Sequence, residues 1–512
     1  MIKKNIFIGW CLVLLCLVSC SPKSEYTHAL PKDASLVASF DLKMMADKAQ
    51  LKGKEGQQLT DKFIALVKGG LEGEAARLIE KIVNKPSESG LNLADRVYLF
   101  ATPHANAIGI LIKVESEGKL EDLLEALGEQ QICSDIQEES GCRWVQMGQS
   151  LCTFNNGTFL WMKNRSGDVD NIKGTAFMLM RQQEDDGFVS MSDFARLKEV
   201  NSEIASVIDI SILPDCLTNP LRMGLSGDIR LQDIKYLVTT DFEQGQMKVT
   251  FNSLSSNQKV QKLYQDMNQI MSVLKGKYMD YFPASTLAWW GGRMQGKDVF
   301  HMLSQNPTLR HRLLNPELPI DMQRIFSSIE GDFAVGYTSM LSDEFLLYAD
   351  VTNDDFLSTF EELRPLLALT GGQVQLFDTA ENQYALKTME GIYWFGVKNG
   401  FLYLTNRREL AEEAGRTYGV SVGTRPWASD AKNSRMYASI NFIRLSADIK
   451  ARPYLFSFLG SQQLSSTLKI MAGEYEYVNV GISDCTQGQI YFVMKNKKMN
   501  PLQSMIQMIN QM

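Results

Sequence analysis

Two stretches of this chain, about 240 residues apart, carry the same pattern of residues. The first runs GQSLCTFNNGTFLWMKNR and ends at Arg165, and the second runs GIYWFGVKNGFLYLTNR and ends at Arg407. Each contains an Asn-Gly pair, Asn156-Gly157 or Asn399-Gly400, between two β-prone runs. Because Asn and Gly both tolerate a positive φ, the pattern predicts a β-hairpin at each place.

The match extends along both halves of the chain. Phe159-Leu160-Trp161 matches Phe401-Leu402-Tyr403, and the order strand, helix, hairpin, helix, hairpin, helix occurs twice. We therefore predict two tandem homologous repeats, residues 31–275 and 281–512. Few crossovers of the parallel strand–helix–strand type occur. Each repeat is accordingly predicted to be α+β, with a mainly antiparallel sheet and helices packed on one face.

A methionine-rich amphipathic helix closes each predicted repeat. Such a stripe suits either an adaptable partner surface or packing on the rest of the fold. Because the equivalent helix ends both halves, we predict that each packs on its own repeat. The apolar positions are Leu263, Met267, Ile270, Met271 and Leu274 in the first helix, and Leu502, Met505, Ile506, Ile509 and Met512 in the last.

The N-terminus has the three parts of a secretory signal. Lys3 and Lys4 precede an apolar run at residues 6–18 that is too short to span a bilayer. The run ends in Leu-Val-Ser-Cys, which looks like the lipobox of bacterial lipoproteins. We predict that residues 1–19 are removed and that Cys20 carries a lipid anchoring the protein to a membrane. Residues 20–30 are polar and are predicted to form the lipidated N-terminus and a tether.

Ser21 follows the cysteine, where some lipoproteins carry the aspartate that retains them in the inner membrane. The outer membrane is therefore the predicted address, with the leaflet undecided. The chain has a formal net charge of −7 without concentrated Lys or Arg, which argues against nucleic acid as a partner. Cys133 and Cys142 either bridge two strands of a hairpin or are buried thiols, and the second alternative is favoured.

Motifs for catalysis are not recognisable in the sequence. HExxH, GxSxG and zinc-like cysteine spacings do not occur, so no catalytic residue, metal or cofactor is predicted. Residues 291–298 fit GxxxxGK, but Asp298 stands where a phosphate-binding loop needs Ser or Thr. A glycine-rich turn before a helix is the favoured interpretation. Acidic clusters at 184–186 and 354–355 are interpreted as solvated charges rather than a glycosidase pair.

Aromatic residues are the stronger candidates for ligand contact, because their faces stack on sugars and apolar groups. Trp289, Trp290, Trp394 and Trp161 are selected. Since side chains alternate along a strand, Trp289 and Trp290 must point to opposite sides, and most such residues are expected in the core. Asp378-Thr379-Ala380 resembles the short O-glycosylation site of Bacteroidota envelope proteins, which makes Thr379 a candidate site.

The lipobox, the opening PKDASLVASFDL from Pro31 and the two long α+β halves together resemble a Bacteroidota lipoprotein family of unknown function. The resemblance implies an envelope address and no catalytic residues. We expect a non-catalytic envelope lipoprotein that binds a macromolecular or amphiphilic partner, such as an envelope protein or a glycan, through its duplicated platform. The alternatives are a hydrolase that acts on glycans or peptides through carboxylates, and a structural subunit of an envelope assembly.

Overall fold

The computed structural model describes residues 25–103, 106–139, 141–213, 229–314, 320–339, 343–452 and 469–511. The chain divides into two units, each assembled from separate segments. Unit 1 comprises residues up to 212, 234–254 and 498–512, and unit 2 comprises 213–233 and 255–497. Each unit is α+β, and its strands pair antiparallel.

Unit 1 contains an antiparallel sheet of ten strands and a short strand at its side. The strands pair in the order β5-β6-β7-β8-β4-β3-β1-β9-β10-β11, and β2 pairs with β4. Their bounds are β1 Leu36–Phe40, β2 Leu91–Asn92, β3 Val97–Thr102, β4 Ala107–Val114, β5 Gln137–Glu139, β6 Cys142–Met147, β7 Ser150–Phe154, β8 Thr158–Asn164, β9 Ile204–Asp209, β10 Lys235–Glu243 and β11 Gln246–Ser253.

Helices cover both faces of this sheet, whereas the sequence predicted helices on one face. Consecutive strand residues enter different cores: Leu160 packs in one with α5, and Phe159 packs in the other with α1 and α4. A strand with buried residues on both faces needs cover on both sides, and all five residues of β7 are buried. The helices of unit 1 are α1 Leu42–Ala49, α2 Lys54–Lys68, α3 Gly73–Asn84, α4 Glu117–Glu129, α5 Val169–Arg181 and α6 Ser192–Glu199.

Unit 2 repeats the same strand order. Its strands pair as β16-β17-β18-β19-β15-β14-β13-β20-β21-β22, and β12 pairs with β13. Their bounds are β12 Met271–Ser272, β13 Ala288–Gln295, β14 Ile329–Tyr337, β15 Phe345–Val351, β16 Gln375–Ala380, β17 Gln383–Lys387, β18 Ile392–Lys398, β19 Phe401–Thr405, β20 Met436–Asn441, β21 Tyr475–Asp484 and β22 Gln487–Met494.

The helices of unit 2 also lie on two faces of the sheet. Tyr403 packs with α12 and α13, and Leu402 packs with α11 on the other side. The helical bounds are α7 Gln258–Ile270, α8 Gly296–Leu303, α9 Pro307–Leu314, α10 Met322–Ser328, α11 Ser358–Ala368, α12 Arg408–Glu412, α13 Ala428–Lys432 and α14 Phe442–Ala451, and residues 469–474 are helical as well.

Each unit has a buried tyrosine five residues before a proline, and we call the segment from that tyrosine to the following strand the opening of the unit. Tyr26 is 4% exposed and donates from its hydroxyl to the Arg96 carbonyl at 2.6 Å. Tyr278 is 1% exposed and donates to the Asp350 carboxylate at 2.7 Å. The part of the predicted tether from residue 25 to residue 30 is therefore packed into unit 1, because its Tyr, Ala and Leu side chains are buried in the core. The composition of this segment is polar, but its few apolar residues decide its position.

The helices that close the two halves do not pack as the sequence predicted. The last helix, α15 (Pro501–Gln511), packs on α1 and α2 of unit 1. Helix α7, which closes the first half, belongs to unit 2, where the Asn268 side chain donates to Asp484 at 3.0 Å. An amphipathic stripe specifies that a helix must be covered but not which surface covers it. Two similar units therefore leave the sequence ambiguous about the partner of each closing helix.

Candidate functional site

A groove with a largely apolar lining lies in unit 1, at one end of the sheet. It forms where β3 ends, β4 begins and β8 ends, and its cavity volume is about 590 Å³. That volume falls within the range of small-molecule sites. We call it the unit 1 groove. Its lining residues are Ser35, Ala101, Thr102, Pro103, Asn106, Ala107, Ile108, Lys163, Asn164, Arg165, Ser211 and Ile212.

The floor of the unit 1 groove is set by cross-strand pairs. Ala101 on β3 faces Ile108 on β4, and Ile108 in turn faces Lys163 on β8. The small Ala101 side chain leaves space above the sheet, and Ile108 remains 46% exposed. Ile212 adds a second apolar side chain that is 37% exposed. An exposed apolar floor of this kind gains free energy when an apolar ligand covers it.

Two basic side chains line the same groove. Lys163 is half-buried and Arg165 is exposed, and neither forms an ion pair with any residue that the structure describes. Two carboxylates lie one hydrogen bond away: Asp33 accepts from the Thr102 hydroxyl, and Asp209 accepts from Ser211. Neither of these carboxylates lines the groove. A half-buried cation without a partner favours an anion beside it, because desolvation of the lysine is otherwise uncompensated.

The equivalent end of the unit 2 sheet is filled by its own side chains. Tyr337 on β14 faces Phe345 on β15, in the register that Ala101 and Ile108 occupy in unit 1, and the two rings lie 6.2 Å apart. The position of Lys163 is taken by Asn406, which accepts from the Phe345 N–H at 3.2 Å. The groove therefore results from small and basic residues at positions that are aromatic and amide in unit 2.

The four tryptophans predicted to contact a ligand are dispersed. Trp289 is 3% exposed and packs against Trp427, with ring centroids 5.8 Å apart. Its neighbour Trp290 is 43% exposed on the opposite face, as the alternation of strand residues predicts. Trp394 is half-buried against a core of unit 2, and Trp161 is half-buried against a core of unit 1. None of the four lines the unit 1 groove.

The residues that match between the two hairpins in sequence are not structurally equivalent, because the structural alignment is shifted by one residue. Counting from the Asn-Gly turns, Leu160 corresponds to Tyr403, and Trp161 corresponds to Leu404 rather than to Tyr403. The cores agree, since Leu160 and Tyr403 pack in the clusters that include the opening tyrosines. A one-residue shift moves every strand residue to the other face. The turns differ too, because Asn399 has a φ of 51° while Asn156 lies outside the left-handed region.

The stretch that fits GxxxxGK is a strand and not a phosphate-binding loop. Gly291 and Gly292 lie within β13, where a Cβ would come within 2.5 Å of the Trp289 ring and 2.9 Å of the Phe333 ring. Gly296 begins α8 against the Phe326 carbonyl. Packing therefore explains all three glycines. A second cavity of about 560 Å³, with a mixed polar and apolar lining, lies at this helix. Its lining includes Lys297, Asp298, His301, Arg310 and Gln323.

The carboxylates of unit 2 that come together are structural. Asp332 is 1% exposed and accepts from the Lys275 and Lys277 N–H groups and from Arg293. Asp350 accepts from the Asp332 N–H at 2.9 Å and from Tyr278. With every carboxylate oxygen engaged in a hydrogen bond, these groups hold the segment at residues 275–278 of unit 2 in place. Among the described residues, no group of three His, Cys, Asp or Glu side chains is arranged to hold a metal ion.

The cysteines that the structure describes are unpaired thiols. The Cys133 thiol donates to the Leu124 carbonyl at 3.3 Å, and burial raises the pKa of Cys133 to about 11. Cys142 is buried as well, so the favoured alternative of buried thiols is observed instead of a disulfide.

Thr379 is exposed on β16, at an irregularity between Asp378 and Ala380. Cys20 lies outside the described residues.

The fold and the unit 1 groove describe an α+β protein with an open, largely apolar cavity, whose lining includes two cations without an ion-pair partner among the described residues. The chain belongs to the family of the domain of unknown function DUF4836, whose model matches residues 26–502. The match begins at Tyr26, the residue on which unit 1 opens. Comparison with curated proteins finds no match. Across the described ranges, no helix has both the length and the apolar character needed to cross a bilayer.

Three solved structures of TP0453 resemble part of this chain. Crystal form I has 10% identity and a TM-score of 0.27 and covers 48% of this chain and 88% of its own. Form IV has 11% identity, covering 45% and 81%, and form III has 12%, covering 50% and 90%, each with a TM-score of 0.27. A TM-score of this size is too low to transfer architecture or function.

Proposed function

We propose that this chain is a non-catalytic, lipid-anchored envelope protein that binds an amphiphilic partner in the unit 1 groove. One observation carries the proposal: an exposed apolar floor at Ile108 lies beside two cations, Lys163 and Arg165, that have no ion-pair partner among the described residues. A ligand with an apolar body and a polar end satisfies both features at once. The proposal needs no catalytic group.

The predicted anchor supports this function through its distance from the groove. Tyr26, which is packed in the core of unit 1, lies six positions after Cys20, with five residues between them. A fully extended chain of that length spans roughly 20 Å. With a lipid on Cys20, unit 1 is held near a membrane surface, where amphiphiles are concentrated. The lipobox and the opening from Pro31, which resemble Bacteroidota envelope lipoproteins, support an outer-membrane address.

We also propose that the two units are tandem homologous repeats. Two backbone hydrogen bonds and one β-bridge support this, because they recur at equivalent places. Phe188 N–H donates to Leu30 as Val422 N–H donates to Phe282, both at 2.9 Å; Ser35 N–H donates to Ala101 as Leu287 N–H does to Tyr337; and Pro31 bridges Gly187 as Pro283 bridges Ser421. The identical strand orders support the same origin. On this view, the groove is a specialisation of one copy.

A hydrolase acting through carboxylates has less support. Two carboxylates of unit 2 that come together, the buried Asp332 and the partly exposed Asp350, are fully hydrogen-bonded. Among the described residues that line the unit 1 groove, none is a carboxylate. A structural role has one specific observation in its favour. Trp290, Tyr337 and Ile440 share one face of the unit 2 sheet, and each is 42–49% exposed. Such a face suits contact with another envelope protein.

Thr379 remains a proposed O-glycosylation site. Its support is accessibility, since the side chain is exposed on β16 at the end of the strand order of unit 2. A glycan there would cover an open sheet edge without displacing a core residue. Intact-mass analysis of the protein purified from its own envelope tests this, because Thr379→Ala should remove the added mass.

Filling the unit 1 groove tests the proposed function. The double variant Ala101→Tyr/Ile108→Phe copies the pair that unit 2 holds in the same register, so the sheet should accept it. We expect the variant to weaken binding of the uncharged, environment-sensitive dye N-phenyl-1-naphthylamine by at least about tenfold, because the apolar floor is covered. Titration uses the full mature chain with Cys20→Ala, which avoids detergent.

Leu66→Phe is the matched control, since it adds an aromatic ring to unit 1 at a position that is 60% exposed and outside the groove. Its dye affinity should equal that of the parent protein. The proposal is rejected if the double variant, shown to be folded by circular dichroism, binds the dye as tightly as the control does.

A further inference from the structure

We propose that the ligand of the unit 1 groove is a free fatty acid, a single acyl chain ending in a carboxylate, and that each chain binds one. This inference rests on the proposed function and names its ligand class. It is carried by the charge and the size of the groove together with the filled counterpart in unit 2.

The charge of the groove selects an anion. Lys163 and Arg165 line it, and none of the other described residues in its lining is acidic. Arg165 offers a planar guanidinium that can hold a carboxylate through two hydrogen bonds, and Lys163 adds a point charge across the strands from Ile108. The head group therefore lies at the end of β8, while the acyl chain covers the floor at Ala101 and Ile108.

The surroundings of the groove favour a monoanion over a dianion. Asp33 and Asp209 are hydrogen-bonded to the lining hydroxyls of Thr102 and Ser211. Their negative charges partly offset the two cations at short range. A carboxylate with one charge meets this arrangement with less repulsion than a phosphate monoester, which carries almost two charges at neutral pH.

The size of the groove limits the ligand to one chain. A cavity of about 590 Å³ lies in the middle of the small-molecule range, and its floor is the width of one strand pair. Among the described residues of unit 2, Tyr337 and Phe345 occupy the equivalent place and Asn406 stands where unit 1 has Lys163, so we expect no second site of this kind there. The stoichiometry is therefore one ligand per chain despite the two similar units.

Displacement of the bound dye by competitors with the same alkyl chain compares the affinities of different head groups for the groove. The competitors are dodecanoate, dodecanol, dodecyl phosphate and dodecyltrimethylammonium, below their micelle concentrations. Dodecanoate should displace the dye at roughly a tenth to a hundredth of the dodecanol concentration, because a charge-assisted contact adds to the same chain burial. The affinity of octanoate, decanoate and dodecanoate should rise about fourfold per methylene.

Charge variants identify the residues that hold the head group. Lys163→Gln and Arg165→Gln should each reduce the advantage of dodecanoate over dodecanol by roughly tenfold and leave dodecanol itself unchanged. Lys52→Gln is the matched control, an exposed lysine of unit 1 outside the groove, and should leave both competitors unchanged.

Several outcomes overturn the inference. If dodecanoate and dodecanol displace the dye equally well, the two cations do not hold a carboxylate. If dodecyl phosphate binds more tightly than dodecanoate, the groove prefers a phosphate head group. If octanoate, decanoate and dodecanoate bind with equal affinity, the ligand is not held by its acyl chain. If two ligands bind per chain, the groove is not confined to unit 1. In each of these cases the dye still binds and the proposed function stands. If the dye does not bind the parent protein at all, the proposed function itself fails.

Discussion

At the scale of single residues, Glu88 of unit 1 forms ion pairs with three lysines. Its side chain is 8% exposed and contacts Lys81 at 2.5 Å, Lys85 at 2.8 Å and Lys119 at 3.2 Å. Hydrogen bonds from Lys81 first, and then from Lys85 and Lys119, lower the pKa of Glu88 to about 2. The contacts join the end of α3 to the start of α4, so one carboxylate fixes two helices.

The lowered pKa makes a prediction about pH. A carboxylate with a folded pKa below its unfolded value of about 4.3 stabilises the protein above that value, and the contribution disappears as the pH falls towards about 2. Glu88→Gln should therefore lower the urea midpoint at about pH 7 and leave it unchanged at about pH 2. Equilibrium unfolding of both proteins at the two pH values measures this.

Glu80→Gln is the control for this experiment, because Glu80 lies on the same helix and pairs with Lys68 in a largely exposed contact. Exposed pairs contribute little, so its midpoint should hardly change at either pH. A Glu88→Gln effect that persists in acid would show that the loss comes from packing and not from charge.

Residue identity alone predicted on which faces two tryptophans lie, but it predicted none of the residues that line the unit 1 groove. The alternation rule placed Trp289 and Trp290 on opposite faces, and one is buried while the other is exposed. The groove itself gave no signal, because an alanine in a strand is unremarkable. Ala101 becomes informative only when the pairing shows that Tyr337 occupies its position in unit 2. Space is a property of neighbours across strands, and the sequence does not state which strands are neighbours.

At the scale of elements, α15 shows what an amphipathic pattern does and does not specify. Leu502 and Ile506 are 8% and 6% exposed, whereas Met505 of the same predicted stripe is 37% exposed, so the prediction holds for only part of the stripe. The surface that covers it belongs to unit 1. Polar contacts fix the register there, since Asn500 donates to the Phe242 carbonyl and Asn510 to the Glu55 carbonyl. None of these partners could be read from the helix.

A single substitution tests the position of α15. Ile506→Ala should lower the free energy of unfolding of unit 1 by about 2–5 kcal/mol, because a buried isoleucine is lost and a cavity remains. Hydrogen exchange should accelerate in α1, α2 and β10, which contact this helix. Met505→Ala on the same helix is the control, since Met505 is 37% exposed, and it should change stability by no more than about 0.5 kcal/mol. Faster exchange confined to unit 2 would contradict the placement.

At the scale of the whole molecule, the duplicated sequence pattern anticipated an α+β, mainly antiparallel architecture, and both units have it. The boundary between compact units does not follow the sequence halves. Residues 255–275 belong to unit 2, and residues 498–512 belong to unit 1. A sequence repeat marks equivalent positions along the chain. Each closing helix could be covered by either of two similar units. The unit that covers it is the one that gives the lower free energy, and the difference arises from contacts between residues far apart in sequence.

Two fragments distinguish the spatial unit from the sequence half. Residues 255–497 contain all of unit 2 after residue 233, whereas residues 281–512 lack α7 and keep α15. In the second fragment, Arg435, Asp484 and Cys485 lose the Asn268 groups that they bind, at about 1–3 kcal/mol for each buried polar group left unpaired. The apolar side of α15 also loses its cover. We expect 255–497 to unfold cooperatively at the higher temperature by circular dichroism and to bind less of the dye 8-anilinonaphthalene-1-sulfonate. If residues 281–512 are equally or more stable, α15 packs on the half of the chain that contains it in sequence, and its assignment to unit 1 is wrong.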